Sequence, residues 1–354
     1  MPDFFKNYFK KFAQYLIIHD MQKFGHRHGH GLVHEKTNSS SCLGILYMYC
    51  TWLFLFTIIS LMHPLSAGIE KYFKKIEAKP SPSHHQMRQI DFIYMINLDE
   101  RPEKFKKCVQ QLEPYGIHPY RFSAVNGWKL PLSAINDLGV KYAPTMARGL
   151  QGITYDMVTG HSVQKAINVP GRTYFCQAMS RGAIGIALSH LSVLQDADNC
   201  RYKTIWIMED DIEVIQDPRM VSDLIEKLDA FVGPDKWDVL FTDMDSKDKQ
   251  GQYLPCSGYA RRPNFLPKYP KRFRKKITID YNFRKIGARY GSYSMIIRRS
   301  GICKILHFLK CHQLFLPYDM EYCLPPDIRL YTVLNDVVST EPTAASDNWW
   351  PGYK

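Results

Sequence analysis

Three consecutive acids follow a short apolar segment, and no other stretch of the chain has residue types and spacing that suit chemistry as well. Residues 205–208 are apolar and lead directly into Glu209, Asp210 and Asp211. Because unpaired carboxylates are costly inside a sheet, the acids are expected at the mouth of a buried strand. Open α/β sheets bind ligands at that edge, and divalent cations prefer such oxygens. The pattern predicts a metal site holding Mn²⁺ or Mg²⁺, with a solvated acidic turn as the alternative.

The two aspartates are not expected to act identically. Adjacent residues of a strand point to opposite faces, so both can bind one ion only where the strand has ended and the chain has turned. Asp211 is the stronger candidate for direct coordination. Asp210 is expected to act through water or the ligand, and Glu209 to orient the turn.

A second apolar segment ends in acids in a similar way. Residues 237–242 read as a strand, and Asp243 and Asp245 follow it. Since neighbouring strand ends face the same cleft, either carboxylate is a candidate catalytic base.

The elements that must position these acids follow an α/β pattern. Residues 90–98 and 120–125 are predicted strands joined by a helix at 102–112, which predicts a βαβ unit with a parallel sheet. Ser180 is the predicted N-cap of a helix that leads into the 205–208 strand. Residues 251–290 are predicted to be irregular, and 128–178 resist assignment. The remaining predicted elements are helices at 219–231 and 300–310 and strands at 290–297 and 333–338.

The amino-terminal part divides by composition. Residues 43–62 carry no charge and match the span of a bilayer core, which predicts a membrane helix. The predicted organisation is a basic tail at 1–42, a single-pass helix at 43–62, a linker at 63–89 and a folded domain at 90–354. Translation from Met48 as a cleavable signal is the competing interpretation. The flanking charges leave the side that the domain faces undecided, with the cytoplasmic face expected in a bacterium.

The charge balance limits the partners. A formal net charge of +12 favours an anionic partner such as a nucleotide, a phosphorylated glycan or a membrane surface. The chain has no recognisable nucleic-acid-binding motif, which argues against nucleic acid. Lysines between 71 and 79 form a basic patch that could contact anionic lipid. The basic run 261–276 could attract a phosphorylated or acidic glycan or be a solvated loop. Nine cysteines without a CxxC pair indicate mostly free thiols in a reducing compartment.

Six motifs in chain order resemble those of glycosyltransferase family 25, the lipopolysaccharide-biosynthesis and collagen-galactosyltransferase family. The resemblance covers about residues 90–345, and each motif is short. They are Ile96-Asn-Leu98 with Arg101-Pro102, Arg121-Phe122 with Ala124-Val-Asn-Gly127, Arg181-Gly-Ala-Ile-Gly185 through Ser189-His190, Met208-Glu-Asp-Asp-Ile212, Gly291 through Gly301, and Pro317-Tyr-Asp319.

This resemblance implies a GT-A-like nucleotide-sugar-binding domain with a mixed, mostly parallel sheet. It implies transfer of a hexose, often galactose or glucose, from a UDP-sugar with inversion. The acceptor would be a hydroxyl of a glycan or glycolipid such as lipooligosaccharide. By position, Asp210 and Asp211 hold the metal and Asp319 lies on the acceptor side as first candidate for the base. The residues assigned to substrate are Asn97, Leu98, Arg101, Ser189, His190 and Glu209.

The sequence departs from the family pattern at two places. Thr242-Asp-Met-Asp245 stands where the family often has a Leu-Gly-Gly type turn, so Asp243 and Asp245 are either loop residues or additions to the site. Met179-Ser-Arg-Gly182 is also altered. A membrane-tethered protein that binds a nucleotide sugar or glycan without turnover is the alternative function.

Overall fold

The computed structural model describes residues 68–76, 79 and 82–344, which all belong to one unit spanning 64–354. An eight-stranded sheet forms its centre. The strands are β1 (Phe92–Asn97), β2 (Tyr120–Ser123), β3 (Val140–Lys141), β4 (Gln151–Tyr155), β5 (Ser162–Ala166), β6 (Thr173–Tyr174), β7 (Thr204–Glu209), β8 (Ile212–Val214), β9 (Val239–Phe241), β10 (Lys276–Thr278), β11 (Phe283–Ile286), β12 (Ser294–Arg298), β13 (Leu330–Val333) and β14 (Val338–Thr340).

Helices pack around this sheet and short 3₁₀ turns connect them. The α-helices are α1 (Pro102–Leu112), α2 (Leu132–Leu138), α3 (Arg181–Asn199), α4 (Met220–Val232), α5 (Arg299–His312) and α6 (Tyr318–Glu321). The 3₁₀ turns are Ile69–Tyr72, Pro82–His85, Glu113–Tyr115, Gly127–Lys129 and Pro270–Arg274.

The sheet is mixed, with most strands running in one direction. Its order is β10-β11-β13-β9-β12-β7-β1-β2, and β11 and β12 run opposite to the other six of the eight strands. β1 pairs in parallel with both β2 and β7, which confirms the predicted βαβ unit. This architecture fits the GT-A-like fold that the resemblance implies.

Alternation along the central strands divides the core between two faces. On β1, Tyr94 and Ile96 pack into one cluster with α3 and α5, while Ile93 and Met95 pack into another with α1 and α4. Both faces are therefore apolar and covered, as expected for a largely parallel sheet. The polar residues that follow the strands lie outside both apolar clusters, at the ends of the strands.

The predicted helix before the acids is present, and it begins as the sequence indicates. The side chain of Ser180 accepts a hydrogen bond from the Ala183 amide at 3.0 Å, an N-cap interaction at the start of α3. The predicted strands at 90–98 and 205–208 correspond to β1 and β7.

Two predicted assignments differ from the structure. The segment 251–290, expected to be irregular, contributes the hairpin β10–β11 to the main sheet, and its basic side chains Lys276 and Arg284 pair with Asp245. Of the strand expected at 333–338, only Val333 and Val338 lie in strands, at the end of β13 and the start of β14, and the residues between them form the connecting turn. Both differences come from partners distant in sequence, which local patterns do not report.

Part of the predicted linker at 63–89 packs on the domain. Ile69 is fully buried, Tyr72 donates a hydrogen bond to Asp137 at 2.7 Å, and the amide of Lys74 donates to Ser192 at 2.9 Å. Lys79 pairs with Asp196. The packed part of the chain therefore begins before residue 90.

The membrane helix expected at 43–62 lies outside the described residues. Within the residues that the structure describes, no helix is both long and apolar enough to cross a membrane.

Candidate active site

A pocket opens where β1, β2 and β7 reach their carboxyl ends, and the three acids lie in it. The first turns of α3 form the opposite wall. The lining residues are Ile96, Leu98, Lys104, Ala124, Val125, Asn126, Gly127, Trp128, Gly182, Ile186, Ser189, His190, Glu209, Asp210 and Asp211. The predicted site residues Leu98, Ser189 and His190 are thus brought together with the predicted metal ligands.

Two glycines allow the turn after β2 to lie directly against α3. A Cβ atom on Gly127 would lie 1.8 Å from the Arg181 carbonyl oxygen, and one on Gly185 would lie 2.5 Å from that of Val125. Ser189 completes the contact, since its hydroxyl accepts from the Val125 amide at 2.8 Å. The predicted Ala-Val-Asn-Gly and Gly-Ala-Ile-Gly motifs are therefore two halves of one backbone contact in the pocket floor.

Glu209 is held by neighbours from two distant parts of the chain. Its Oε1 lies 3.0 Å from His190 Nε2 and accepts a hydrogen bond from the Ser292 hydroxyl at 2.6 Å. Burial acts to raise the pKa of Glu209, but the contacts with His190 and Ser292 outweigh it and leave the pKa below its usual value. Glu209 is therefore ionised and fixed, and its role in orienting the turn stays a prediction.

His190 is the centre of a small stack beneath the acids. Because a carboxylate only accepts, the contact with Glu209 requires a proton on His190 Nε2. The imidazole stacks on the Tyr318 ring with centroids 4.2 Å apart and planes 13° apart. His190 is fully buried, so it holds Glu209 from inside the protein and connects the acids to α6.

Asp210 is oriented by Asn97 at the end of β1. Asn97 Nδ2 donates to Asp210 Oδ2 at 2.6 Å and to the Arg101 carbonyl at 2.8 Å. Arg121 Nε donates to Asn97 Oδ1 at 2.7 Å, which fixes the orientation of the amide. Asn97 is almost wholly buried, and its polar contacts hold Asp210 in place. The substrate-binding role that the resemblance implies for Asn97 stays a prediction.

Asp211 is a partly buried acid with one buried oxygen that has no hydrogen-bond partner among the described residues. Its Oδ1 is buried without a hydrogen-bond partner, whereas its backbone carbonyl accepts from the Glu341 amide at 2.9 Å. Burial raises the pKa of Asp211 to about 7, and the charges of Glu209 and Asp210 add to this effect. Such an orphaned oxygen beside two further carboxylates suits a divalent cation, which would replace the missing partner.

The described residues would supply only part of a metal shell. Among the described residues, no group of three or more His, Cys, Asp or Glu side chains is arranged to hold a metal ion. Asp210 and Asp211 fit a metal that takes its remaining oxygens from a bound ligand and water, as the sequence predicts. This arrangement is typical of Mg²⁺ and Mn²⁺ sites that are completed by substrate phosphates.

Asp319 lies in a second cavity beside the first. Its Oδ2 accepts a hydrogen bond from the Gly291 amide at 3.1 Å. Burial raises the pKa of Asp319, and the charge of Glu209 contributes in the same direction, so the two carboxylates lie close enough to interact. The other residues of this cavity are Cys256, Ser257, Gly258, Tyr259, Ala260, Ala288, Arg289, Tyr290, Met320 and Cys323.

Asp243 and Asp245 reach the same sheet edge but contact cations. Asp243 is fully buried, with its Oδ1 2.8 Å from Arg289 Nη1 and its Oδ2 accepting from the Tyr293 hydroxyl at 2.7 Å. Asp245 lies 3.0 Å from Lys276 Nζ and 3.5 Å from Arg284 Nη2. Neither aspartate lines the two cavities described above, which favours structural roles over the predicted role as base.

The structure places Lys104 in the pocket, where Arg101 was expected. Arg101 Nε lies 2.6 Å from Glu103, and its side chain does not line the pocket, so its predicted substrate contact stays a prediction. Lys104, which the sequence reasoning missed, lines the pocket, and its positive charge acts on both Glu209 and Asp211. Its place three residues after Arg101, on the first turn of α1, was the available signal.

Residues 90–320 match the model of glycosyltransferase family 25 (LPS biosynthesis protein), which covers more than half of the chain. The chain belongs to glycosyltransferase family 25. The predicted resemblance is thereby confirmed, and the pocket with its three acids lies within the matched residues.

Curated members of the family show how far the similarity extends. The chain is 30% identical over 141 residues to a glycosyltransferase 25 family member of Drosophila melanogaster, covering 40% of this chain and 19% of the relative. A member from Drosophila pseudoobscura pseudoobscura is 26% identical over 152 residues, covering 43% and 20%. One from Aedes aegypti is also 26% identical over 152 residues, covering 43% and 21%. The matched region therefore spans about a fifth of the length of these relatives.

Proposed function

We propose that the chain is an inverting, UDP-sugar-dependent hexosyltransferase that uses Mn²⁺ or Mg²⁺. The donor sugar would be galactose or glucose, and the acceptor a hydroxyl of a glycan or glycolipid such as lipooligosaccharide. The observation that carries the proposal is the unsatisfied, buried Oδ1 of Asp211 beside Asp210 at the mouth of β7. Family membership supports the same reaction class.

The residues around the acids suit a diphosphate leaving group. A bound divalent ion would neutralise the negative charge that develops on the diphosphate as the sugar departs. Lys104 lines the same pocket and adds a positive charge on the side of α1. Asn97 and His190 keep Asp210 and Glu209 in fixed orientations, so these carboxylates need little rearrangement when donor binds.

Asp319 is the base that the geometry supports best. In a single displacement, an acceptor oxygen forms a bond to the anomeric carbon, the bond to the diphosphate breaks, and the hydroxyl proton must leave. Burial raises the pKa of Asp319, which makes the carboxylate a stronger proton acceptor. Asp319 also lies in a cavity of its own next to the acid pocket, where a separate acceptor has room.

The test is UDP release by the full chain, measured with a panel of UDP-sugars and candidate acceptors in Mn²⁺ or in EDTA. We expect release with one hexose donor in Mn²⁺ and none in EDTA. Asp319→Asn is expected to retain UDP binding and lose transfer, whereas Asp235→Asn, an exposed acid, should behave as the parent. Undiminished UDP binding in EDTA would contradict the metal role. Metal-dependent UDP binding with no transfer to any acceptor would favour the binding protein.

A further inference from the structure

The segment 261–275 separates its basic side chains into two groups. It contains seven Lys and Arg residues and no acid. Two of the arginines point into the protein. Arg262 forms a fully buried ion pair with Glu321, and one nitrogen of Arg272 lies within hydrogen-bond distance of three carbonyl oxygens at residues 323–325. These contacts hold the segment as a fixed part of the domain.

The other basic side chains of this segment face solvent. None of them forms an ion pair with any residue that the structure describes. Two large apolar side chains stand among them, Leu266 with 85% and Tyr269 with 65% of its surface exposed. The exposed basic residues are Arg261, Lys268, Lys271, Arg274 and Lys275.

A second basic region shows that lysines in this domain do find partners where acids are near. Of the lysines between 71 and 79, which the sequence marks as a lipid-binding candidate, Lys71 pairs with Asp137 and Lys79 with Asp196. Lys74 donates to the Ser123 hydroxyl at 2.5 Å. Much of that patch is thus used within the protein, whereas the outward charges of 261–275 remain available.

We propose that the outward face of 261–275 docks the domain onto an anionic lipid bilayer. Unpaired lysines and arginines are attracted to anionic headgroups, and each contributes about 1 kcal/mol, or roughly a factor of five, near such a surface. Leucine and tyrosine side chains between them can enter the interface while the basic heads stay in water. A soluble polyanion would use the charges but would give Leu266 and Tyr269 nothing apolar to contact.

Because the segment is connected to the Asp319 cavity, docking would affect access to that cavity. Tyr259 lines both the Asp319 cavity and the groove formed by residues 145–150 and 261–266. Phe273 packs against Tyr259 with ring centroids 4.5 Å apart, which connects the proposed docking surface to that cavity. A docked domain would hold the Asp319 cavity near the bilayer surface. The docking itself does not depend on the proposed transferase reaction.

The test compares lipid compositions, because the full chain also carries the predicted membrane span. The full chain is reconstituted in nanodiscs of phosphatidylcholine alone or of phosphatidylcholine with phosphatidylglycerol. Backbone hydrogen exchange across 261–275 is then followed by mass spectrometry. We expect exchange there to be at least about tenfold slower with the anionic lipid, since several basic residues act together.

Two sets of variants test whether the protection depends on this surface or only on the net charge of the domain. Lys268→Glu/Lys271→Glu/Arg274→Glu is expected to lose the protection, and Leu266→Ser/Tyr269→Ser to reduce it. Lys165→Glu/Lys227→Glu/Lys236→Glu makes the same charge change at exposed sites elsewhere and should retain it. Unfolding temperatures of the detergent-solubilised variants verify that each is folded.

Three results would overturn the proposal. The first is equal exchange of 261–275 in both lipid compositions, which would make the segment a solvated loop. The second is equal loss of protection in the control triple variant, which would mean that only net charge matters. The third is protection by a soluble sulfated polysaccharide but not by anionic lipid, which would assign the surface to an acidic glycan.

Discussion

The strands β7 and β9 both end in acids at the same edge of the sheet, yet the fold treats the two sets of carboxylates differently. After β7, Asp210 is oriented by the neutral amide of Asn97, and Asp211 keeps one buried oxygen without a partner. After β9, Asp243 pairs with Arg289, and Asp245 lies beside Lys276 and Arg284. Each set has one buried oxygen without a hydrogen-bond partner, on Asp211 and on Asp245, but only Asp243 and Asp245 both form ion pairs with Arg or Lys side chains.

This difference shows what separates a binding site from a structural ion pair. Both strands deliver acids to the place where α/β sheets bind ligands. The outcome is decided by the basic side chains that other elements bring to that place. A buried acid with a cationic partner stabilises its surroundings, whereas one with an unsatisfied oxygen and no ion pair to a side chain can receive a cation from solution.

The largest effect is expected from removing the charge of Asp243. Asp243→Asn would leave the Arg289 guanidinium buried without its carboxylate, and it should lower the free energy of unfolding by about 3–5 kcal/mol. Urea denaturation measures this, with Asp235→Asn as the exposed control. A variant that keeps its stability but loses transfer would return Asp243 to the candidates for the base.

Asp211→Asn should give the opposite result, losing activity but not stability. Without a carboxylate to hold the ion, transfer is expected to fall by at least about a hundredfold. The unfolding temperature without metal should stay or rise, because the variant removes a buried charge that Glu209 and Asp210 repel. Turnover and thermal unfolding of the same preparation measure the two effects. A marked fall in the unfolding temperature would show a structural role instead.

Metal affinity should depend on pH through Asp211. Its pKa is about 7 in the folded protein, against about 3.9 in an unfolded chain, so a proton competes with the ion below pH 7. Mn²⁺ affinity is expected to fall by up to about tenfold per pH unit below about pH 7.

In the metal-free protein, protonation of Asp211 should also make the free energy of unfolding depend on pH. Between the two pKa values the folded state binds the extra proton, so stability should fall as pH rises, by at most about 1.4 kcal/mol per unit. Calorimetric titration and denaturation across this range test both effects. Flat profiles would mean that Asp211 is ionised throughout.

A smaller loss is expected when the orientation of Asp210 is released. Asn97→Ala removes the amide that donates to Asp210, and groups that orient metal ligands typically contribute about 10–100-fold to affinity or activity. We expect a loss near the lower end, seen mainly as weaker Mn²⁺ activation. Asn97→Asp, which adds a negative charge instead, serves as the contrast. Unchanged activation by Mn²⁺ in Asn97→Ala would place Asp210 outside the metal shell.

The smallest effect is expected at Asp245. Asp245 is buried, but its partners Lys276 and Arg284 are partly exposed and can be solvated once its charge is removed, so Asp245→Asn should cost about 1 kcal/mol of stability and leave turnover within about twofold. Denaturation and UDP release measured together test this. Loss of turnover at constant stability would identify Asp245 as the base and make the two strand ends functionally alike.

Local sequence patterns are enough to predict the central strands, the helix before β7 and the acids that follow β7. Apolar runs and the Ser180 N-cap located β1, β7 and α3, because their signals lie within each element. The end of β7 was recognisable since three acids cannot continue a buried strand. The glycine motifs at 127 and 185 were noticed, but their mutual contact was not.

The partners that define each site could not be predicted in this way. Ser292 is separated from Glu209 by 83 residues and Arg289 from Asp243 by 46. No periodicity reports such pairings, because they arise when strands that are distant in sequence become neighbours in the sheet. For the same reason the hairpin β10–β11 was read as an irregular basic segment.

The late position of these partners affects how the protein is made. The strands β1, β2 and β7 are complete once residue 209 has been synthesised, but Ser292, Tyr318 and Thr340, which contact Glu209, His190 and Asp211, come much later. At roughly 5–20 residues per second, a ribosome needs on the order of ten seconds to add them. During that interval the nascent chain carries the acids with Asn97 and His190 but without the partners that come later in the chain. A chain released before residue 292 would therefore contain the first strands of the sheet but would lack the Ser292 hydroxyl that Glu209 accepts from.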